Sequence, residues 1–262
     1  VVTTNDTLTF EAGKTQIITH SLTLQGAIDN LLSLCSSTTG TQWQIDSQSN
    51  YTISYVDVKD SCNINETPII ATECKDSGNN TNWILAKYFE ISVTSPITAG
   101  EENGLTIIAY DYYGKTSTSY SGNKSLTFSG LSTAPDGIHQ PTVNDTAFGT
   151  PTAISFSNGT ATADLIAYCA ESNKTINATD GTINSNEHGL TVTVSPGQAA
   201  IITWITQPAT SQTAGVNWSP AAVVEVKDSF GNLVSDGTEI TMVPSSGSFA
   251  SGNTANTLNG QA

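Results

Sequence analysis

The segment Leu105-Thr-Ile-Ile-Ala-Tyr-Asp111-Tyr-Tyr-Gly114-Lys115 returns, altered, as Ala222-Val-Val-Glu-Val-Lys-Asp228-Ser-Phe-Gly231-Asn232. A Thr-Ala-Gly turn precedes each copy, at Thr98–Gly100 and Thr213–Gly215, and another alternating run follows, Ser125–Phe128 and Glu239–Met242. Alternation of apolar and polar residues is the pattern of a half-buried strand. The Asp-x-x-Gly that ends it is turn chemistry: the carboxylate accepts backbone N–H groups just downstream, and glycine takes the left-handed conformation that reverses the chain. Two such units are tandem copies of one β-module.

Composition agrees with an all-β chain. Val, Ile, Thr, Tyr, Phe and Trp recur in short runs between Gly, Asn, Asp and Pro clusters, which reads as many short strands joined by turns. Serine and threonine supply 70 of the 262 residues and charged side chains only 12%. The β-branched and aromatic runs separate this polar chain from a disordered one. Eight lysines and no arginine face 23 acidic residues, for a net charge of −15. Phosphate neutralisation needs clustered basic residues, so nucleic-acid binding and anchoring to anionic lipid are excluded as function classes. The longest apolar stretch, Ala199–Ile205, is far too short to span a bilayer as a helix.

The first full copy runs over residues 89–197. Its predicted strands are Phe89–Thr94, Leu105–Asp111, Ser125–Ser129, Thr152–Ser157, Ala161–Tyr168 and Leu190–Ser195, with a long surface loop over Gly130–Gly149. Short strands without helical period read as an antiparallel sandwich. Thr98–Gly114, Tyr120–Gly130, Phe156–Leu165 and Thr191–Gly197 together resemble the bacterial and archaeal immunoglobulin-like (Big-type) repeats strung along large cell-surface proteins. The resemblance covers about residues 89–262. It implies tandem immunoglobulin-like sandwiches and an extracellular setting, and names no activity. Residues 198–262 form a second sandwich that stops one or two strands short of its predecessor. Either a longer protein continues it, or a neighbouring subunit donates a strand to the open edge.

Residues 1–88 are expected to form a separate, smaller β-rich or α+β domain. Strands are predicted at Asp6–Phe10, Gln16–His20, Thr52–Val58 and Trp83–Phe89. Apolar residues at 24, 27, 28, 31 and 34 are spaced for one short helix, Leu24–Leu34. Val56-Asp-Val-Lys-Asp-Ser61 echoes Val224-Glu-Val-Lys-Asp-Ser229, the mark of a third diverged copy, but the helix favours a domain of its own. Asp6–Phe10 also alternates near a chain end, as a strand donated to a neighbouring copy would.

Chemistry-bearing residues are sparse. Cys35, Cys62, Cys74 and Cys169 contain no C-x-x-C pair, so zinc and thioredoxin-like readings lack support. Their even number fits extracellular disulfides, with Cys62–Cys74 the shortest loop and Cys35 and Cys169 either pairing or free. His20, His139 and His188 stand alone in sequence, without the partners of a metal-hydrolase or acyl-transfer motif. Calcium often stiffens junctions between tandem sandwiches through hard oxygen ligands. Asp57, Asp60, Asp111 and Asp228, at strand ends, are the candidates, and a turn-capping role competes with that reading. N-x-S/T sequons occur at Asn5, Asn50, Asn65, Asn79, Asn123, Asn144, Asn158, Asn173, Asn177 and Asn217. Each is a candidate glycan acceptor. An asparagine- and threonine-rich chain also makes such triplets by composition alone.

These features describe a non-enzyme. The first expectation is a structural cell-surface protein, a subunit or fragment of an S-layer, sheath or extracellular filament that assembles with copies of itself. The second is an adhesin stalk in which immunoglobulin-like repeats are spacers and the N-terminal domain binds.

Overall fold

The computed structural model describes residues 6–93, 96–244, 248–249 and 251–262. Among them there is no helix, and so none long and apolar enough to cross a membrane. The described residues are all-β, and a first unit of one design is followed by two units of another.

Residues 7–84 coil into a parallel β-solenoid of four rungs. The first rung is β1 (Thr7–Phe10), β2 (Thr15–Ile18) and β3 (Leu22–Gln25); the second is β4 (Leu32–Ser36), β5 (Trp43–Ser47) and β6 (Tyr51–Ser54). The third is β7 (Val56–Val58), β8 (Ser61–Asn63) and β9 (Ile69–Ile70), and the fourth β10 (Lys75–Asp76), β11 (Asn80–Thr81) and β12 (Trp83–Ile84). One face stacks β1-β4-β7-β10 and another β2-β5-β8-β11, all in parallel. A third face pairs β3 with β6 and β9 with β12. Stacking rungs buries a continuous core that no single rung could bury, here Leu34, Val58, Trp43, Ile45, Ile53, Ile69 and Trp83.

The expected helix over Leu24–Leu34 is corrected to two strands and a tight turn. Gly26 sits against rung backbone, where a Cβ would lie 2.2 Å from the Tyr55 carbonyl oxygen. Asp29 adopts a left-handed φ of 62°, and Ala27 and Asn30 exchange backbone hydrogen bonds across the turn. Parallel pairing of β3 and β4 with distant rungs overrides the local 3.6-residue period.

The second unit is a sandwich of two five-stranded sheets. Its strands are β13 (Tyr88–Ser92), β14 (Ile97–Thr98), β15 (Glu102–Tyr110), β16 (Gly122–Ser129), β17 (Thr142–Val143), β18 (Thr146–Ala147), β19 (Thr152–Phe156), β20 (Thr160–Ile166), β21 (Glu171–Thr179) and β22 (Leu190–Ser195). The sheets run β13-β15-β20-β17-β18 and β14-β22-β21-β16-β19. Among the described strands of this unit, β14 and β22 form the parallel pair. Alternate residues face inward and fill the core with Phe89, Ile91, Leu105, Ile107, Leu126, Phe128, Leu165 and Ile176. The six predicted strands are all present within a few residues, the Thr94 end of the first lying outside the described residues. β21 was unforeseen because Glu171-Ser-Asn-Lys-Thr turns polar side chains outward and only Ile176 and Ala178 inward. The long loop also carries the small hairpin β17–β18.

The third unit contains β23 (Ile201–Thr206), β24 (Val223–Lys227), β25 (Glu239–Thr241) and β26 (Thr254–Asn256), paired antiparallel as β23–β24 and β25–β26. These repeat β13–β15 and β16–β19. The Asn158-Gly159 turn that follows β19 recurs as Asn259-Gly260, with positive φ at all four residues. Gln261 then pairs with Glu225 of β24, as Thr160 pairs with Ile108 of β15. The described residues of this unit thus form a second immunoglobulin-like copy, holding the strands that match β13, β15, β16 and β19.

Candidate functional site: the module junctions

Asp111 and Asp228 close turns of the same design. Oδ1 of Asp111 accepts the N–H groups of Tyr113 and Lys115, both at 2.9 Å. Oδ1 of Asp228 accepts those of Phe230 and Asn232, also both at 2.9 Å. Both aspartates are fully buried. In each, the second oxygen reaches away from the turn to the preceding unit. Oδ2 of Asp111 accepts the Asp76 N–H of the solenoid at 3.0 Å, and Oδ2 of Asp228 accepts the Gly197 N–H at 2.8 Å. A buried carboxylate surrounded by N–H donors offsets its desolvation by charge-assisted hydrogen bonds. The turn is thereby a fastener between consecutive units.

At the first junction the solenoid answers with an aspartate of its own. Oδ2 of Asp76 accepts the Ser117 hydroxyl at 3.1 Å and the Ser119 N–H at 2.8 Å. Its Oδ1 accepts Gly78 N–H and Asn80 Nδ2 within the last rung. Asp76 and Asp111 thus cross-link the two units in both directions. Tyr112 packs edge-on against Tyr55 of the solenoid, and its N–H donates to the Cys74 carbonyl.

At the second junction Asn232 replaces Lys115 and acts as a clamp. Its Nδ2 donates to the Tyr168 carbonyl and its Oδ1 accepts the Ala170 N–H, each at 2.7 Å. Phe230 enters a recess made by Tyr168, His139 and Gly100. Asp136 backs this recess: its N–H donates to the Phe230 carbonyl, and its Oδ2 lies 2.5 Å from His139 Nδ1. Hydrogen bonds from Ile138 N–H, the His139 ring and His139 N–H hold the Asp136 carboxyl down at about 2.

The sequence candidates scatter otherwise. Asp57 pairs with Lys75 at 2.7 Å, and Asp60 accepts Gly40 N–H and Asn79 Nδ2. With Asp111 and Asp228 facing N–H donors, the four aspartates do not converge on one point, and no cluster of metal-ligating side chains forms among the described residues. All four cysteines are free thiols in the structure, so Cys62 and Cys74 do not pair as expected and Cys35 and Cys169 take the free alternative. Cys62 sits on β8, while Cys74 turns inward ahead of β10, its Sγ at 2.9 Å from the Thr72 carbonyl. Burial pushes the Cys74 thiol up to about 12.

Of the sequons, Asn50, Asn79, Asn123, Asn144, Asn158, Asn173 and Asn217 are exposed and Asn65 and Asn177 half-buried. Asn5 lies outside the described residues. Asn79, Asn144, Asn158 and Asn173 have φ between 46° and 55°, a conformation asparagine tolerates better than most residues. Backbone geometry alone therefore accounts for those four. Residues that carry the junctions but escaped the sequence reading are Asp76, Phe230, Tyr168, His139 and Asn232. The available signal was Asn232, in line with Lys115 of the repeat.

No family model and no curated protein matches this chain. Among solved structures it is similar to FdeC, an Escherichia coli adhesin, at 21% identity over 57% of this chain and 43% of that one, with a TM-score of 0.36. It is also similar to domains 4–9 of the S-layer protein SbsC, at 20% identity over 63% of this chain and 26% of that one, with a TM-score of 0.25. Domains 5–6 of the same protein align at 20% identity over 65% and 82%, with a TM-score of 0.26. The chain spans less than half the length of the adhesin structure.

Proposed function

We propose that this chain is a structural protein of the extracellular cell surface, a subunit or fragment of an S-layer, sheath or filament that assembles with its own copies. The observation that carries this reading is the repeated fastener. Both junctions bury an aspartate whose two oxygens bond the turn and the preceding unit. Tandem units joined only by a linker move freely; units joined by buried charge-assisted hydrogen bonds transmit force as one body. A load-transmitting surface polymer calls for that property. A serine- and threonine-rich exterior with exposed sequons suits glycan attachment, which we include in the proposal.

Electron microscopy of the native cell surface, with antibody against this chain, tests it. Label on a regular lattice or filament is expected, and label confined to the cytoplasm would overturn it. Glycopeptide mass spectrometry of native material should find hexose-sized increments on peptides carrying the exposed Asn123, Asn144, Asn158 or Asn173 if the sequons are used.

A further inference from the structure

Beside the first junction a groove of about 470 Å³ runs between the solenoid and the second unit, within the roughly 300–1,000 Å³ of small-molecule sites. Its solenoid wall is the third face, where β9 and β12 pair and leave Ile70 42% exposed. The opposite wall is the connection between β21 and β22, residues 182–188. Ala86 and Ile183, both buried, line it from the core side. The connection is held in place. Phe89 N–H donates to the Asn184 carbonyl at 3.1 Å, the Ser185 hydroxyl accepts Ala178 N–H at 2.8 Å, and His188 N–H donates to the Ser185 carbonyl at 2.7 Å. A wall fixed before a ligand arrives loses little ordering entropy on binding.

The rim carries the recognition chemistry. The Tyr88 ring stacks on Tyr110, with centroids 5.4 Å apart, and on His188, at 3.9 Å. His188 is the exposed member of these three planar rings. Lys87 and Glu73 pair at 3.6 Å. The His188 ring, the Asn186 amide and the Glu187 carboxylate make no bond among the described residues and stay available to a ligand. Three ligand classes fit this rim badly. A phosphate-rich ligand meets one lysine against Glu73 and Glu187, in a chain of net charge −15. A peptide added as a strand needs a free edge, and the Phe89 N–H at this edge already serves Asn184. An acyl chain would strip water from the charges of Lys87, Glu73 and Glu187. A neutral sugar fits. Its C–H face suits the negative potential of an aromatic face and the apolar Ile70, while its hydroxyls exchange hydrogen bonds with amide, imidazole and carboxylate.

We propose that this groove binds a short neutral saccharide, held between Ile70 of the solenoid and the His188 ring of the second unit. Both units supply a wall, so the site exists only while the Asp76–Asp111 junction is closed. The proposal goes beyond the surface-polymer reading and is tested apart from it: binding is measured on the isolated chain in solution, whether or not that chain forms a lattice.

Saturation-transfer NMR of the whole chain with maltotriose, cellotriose, mannotriose and galactotriose is the test. Polysaccharide from the cell envelope and glycans released from the native chain, run as separate arms, tell a wall sugar from the sugar of a neighbouring copy. Ring C–H protons of at least one sugar should receive saturation. His188→Ala and Ile70→Asp, at exposed positions on opposite walls, should each weaken binding by about tenfold or more, the equivalent of one lost hydrogen bond or apolar contact. Tryptophan fluorescence melting confirms that both variants fold. Trp204→Ala, which removes an exposed ring of the third unit, should change nothing. No transfer to any sugar in any arm, binding that survives either groove variant in folded form, or binding lost in Trp204→Ala would each overturn the proposal.

Discussion

Gly100 and Phe230 belong to different sandwiches, and the second fits only because the first has no side chain: a Cβ on Gly100 would stand 2.3 Å from Cε2 of the Phe230 ring. Gly100 also holds a φ of +82°. The Thr-Ala-Gly turn of the second unit is therefore the seat of the aromatic residue in the third unit's aspartate turn.

Gly100→Ala should loosen the second junction. The left-handed conformation costs about 1–2 kcal/mol with a Cβ, and displacement of Phe230 adds to it. Calorimetry should show the third unit melting earlier while the solenoid transition stays in place. Coincident, unshifted transitions would count against the seat.

Asp228→Ala should be far more damaging. It leaves the Phe230, Asn232 and Gly197 N–H groups and the Asn232 amide short of their acceptor. Each buried donor left without an acceptor costs about 1–3 kcal/mol, and here several are stranded together. Asn232→Ala should spare the turn but cut the clamp on Tyr168 and Ala170, at about 1–3 kcal/mol. Protease susceptibility around residues 196–200 should rise in both, more in the first.

Acid should weaken the second junction through Asp136. Its folded carboxyl lies at about 2, below the ordinary value of about 3.9. A depressed value means the contribution is complete above the ordinary value and lost as pH falls through about 2. Melting temperature measured between pH 5 and pH 2 should fall less steeply in Asp136→Asn than in wild type.

Cys74 should resist thiol reagents in the native protein. Its thiol is buried and held up at about 12, so almost no thiolate exists at neutral pH. Mass spectrometry after brief alkylation should find Cys35, Cys62 and Cys169, which are half-exposed, modified ahead of it. Equal labelling without denaturant would contradict that burial.

The turns were legible in sequence because their chemistry is local. Asp111 and Asp228 cap residues no more than four positions downstream, and the alternation of Leu105–Tyr110 and Val223–Lys227 reports which side faces a core. The all-β class and the tandem copy followed from those short-range patterns. Tertiary structure alone decided the rest. Residues 24–34 carry a helical period, yet Leu32 and Leu34 pair with Val56 and Val58, partners too distant for any window of local hydrophobicity to register. Asp76 looks like another turn residue until the fold sets its N–H against Asp111. A strand's pairing partner and a buried carboxylate's far oxygen are satisfied by whatever the chain brings alongside, and only the folded chain specifies that.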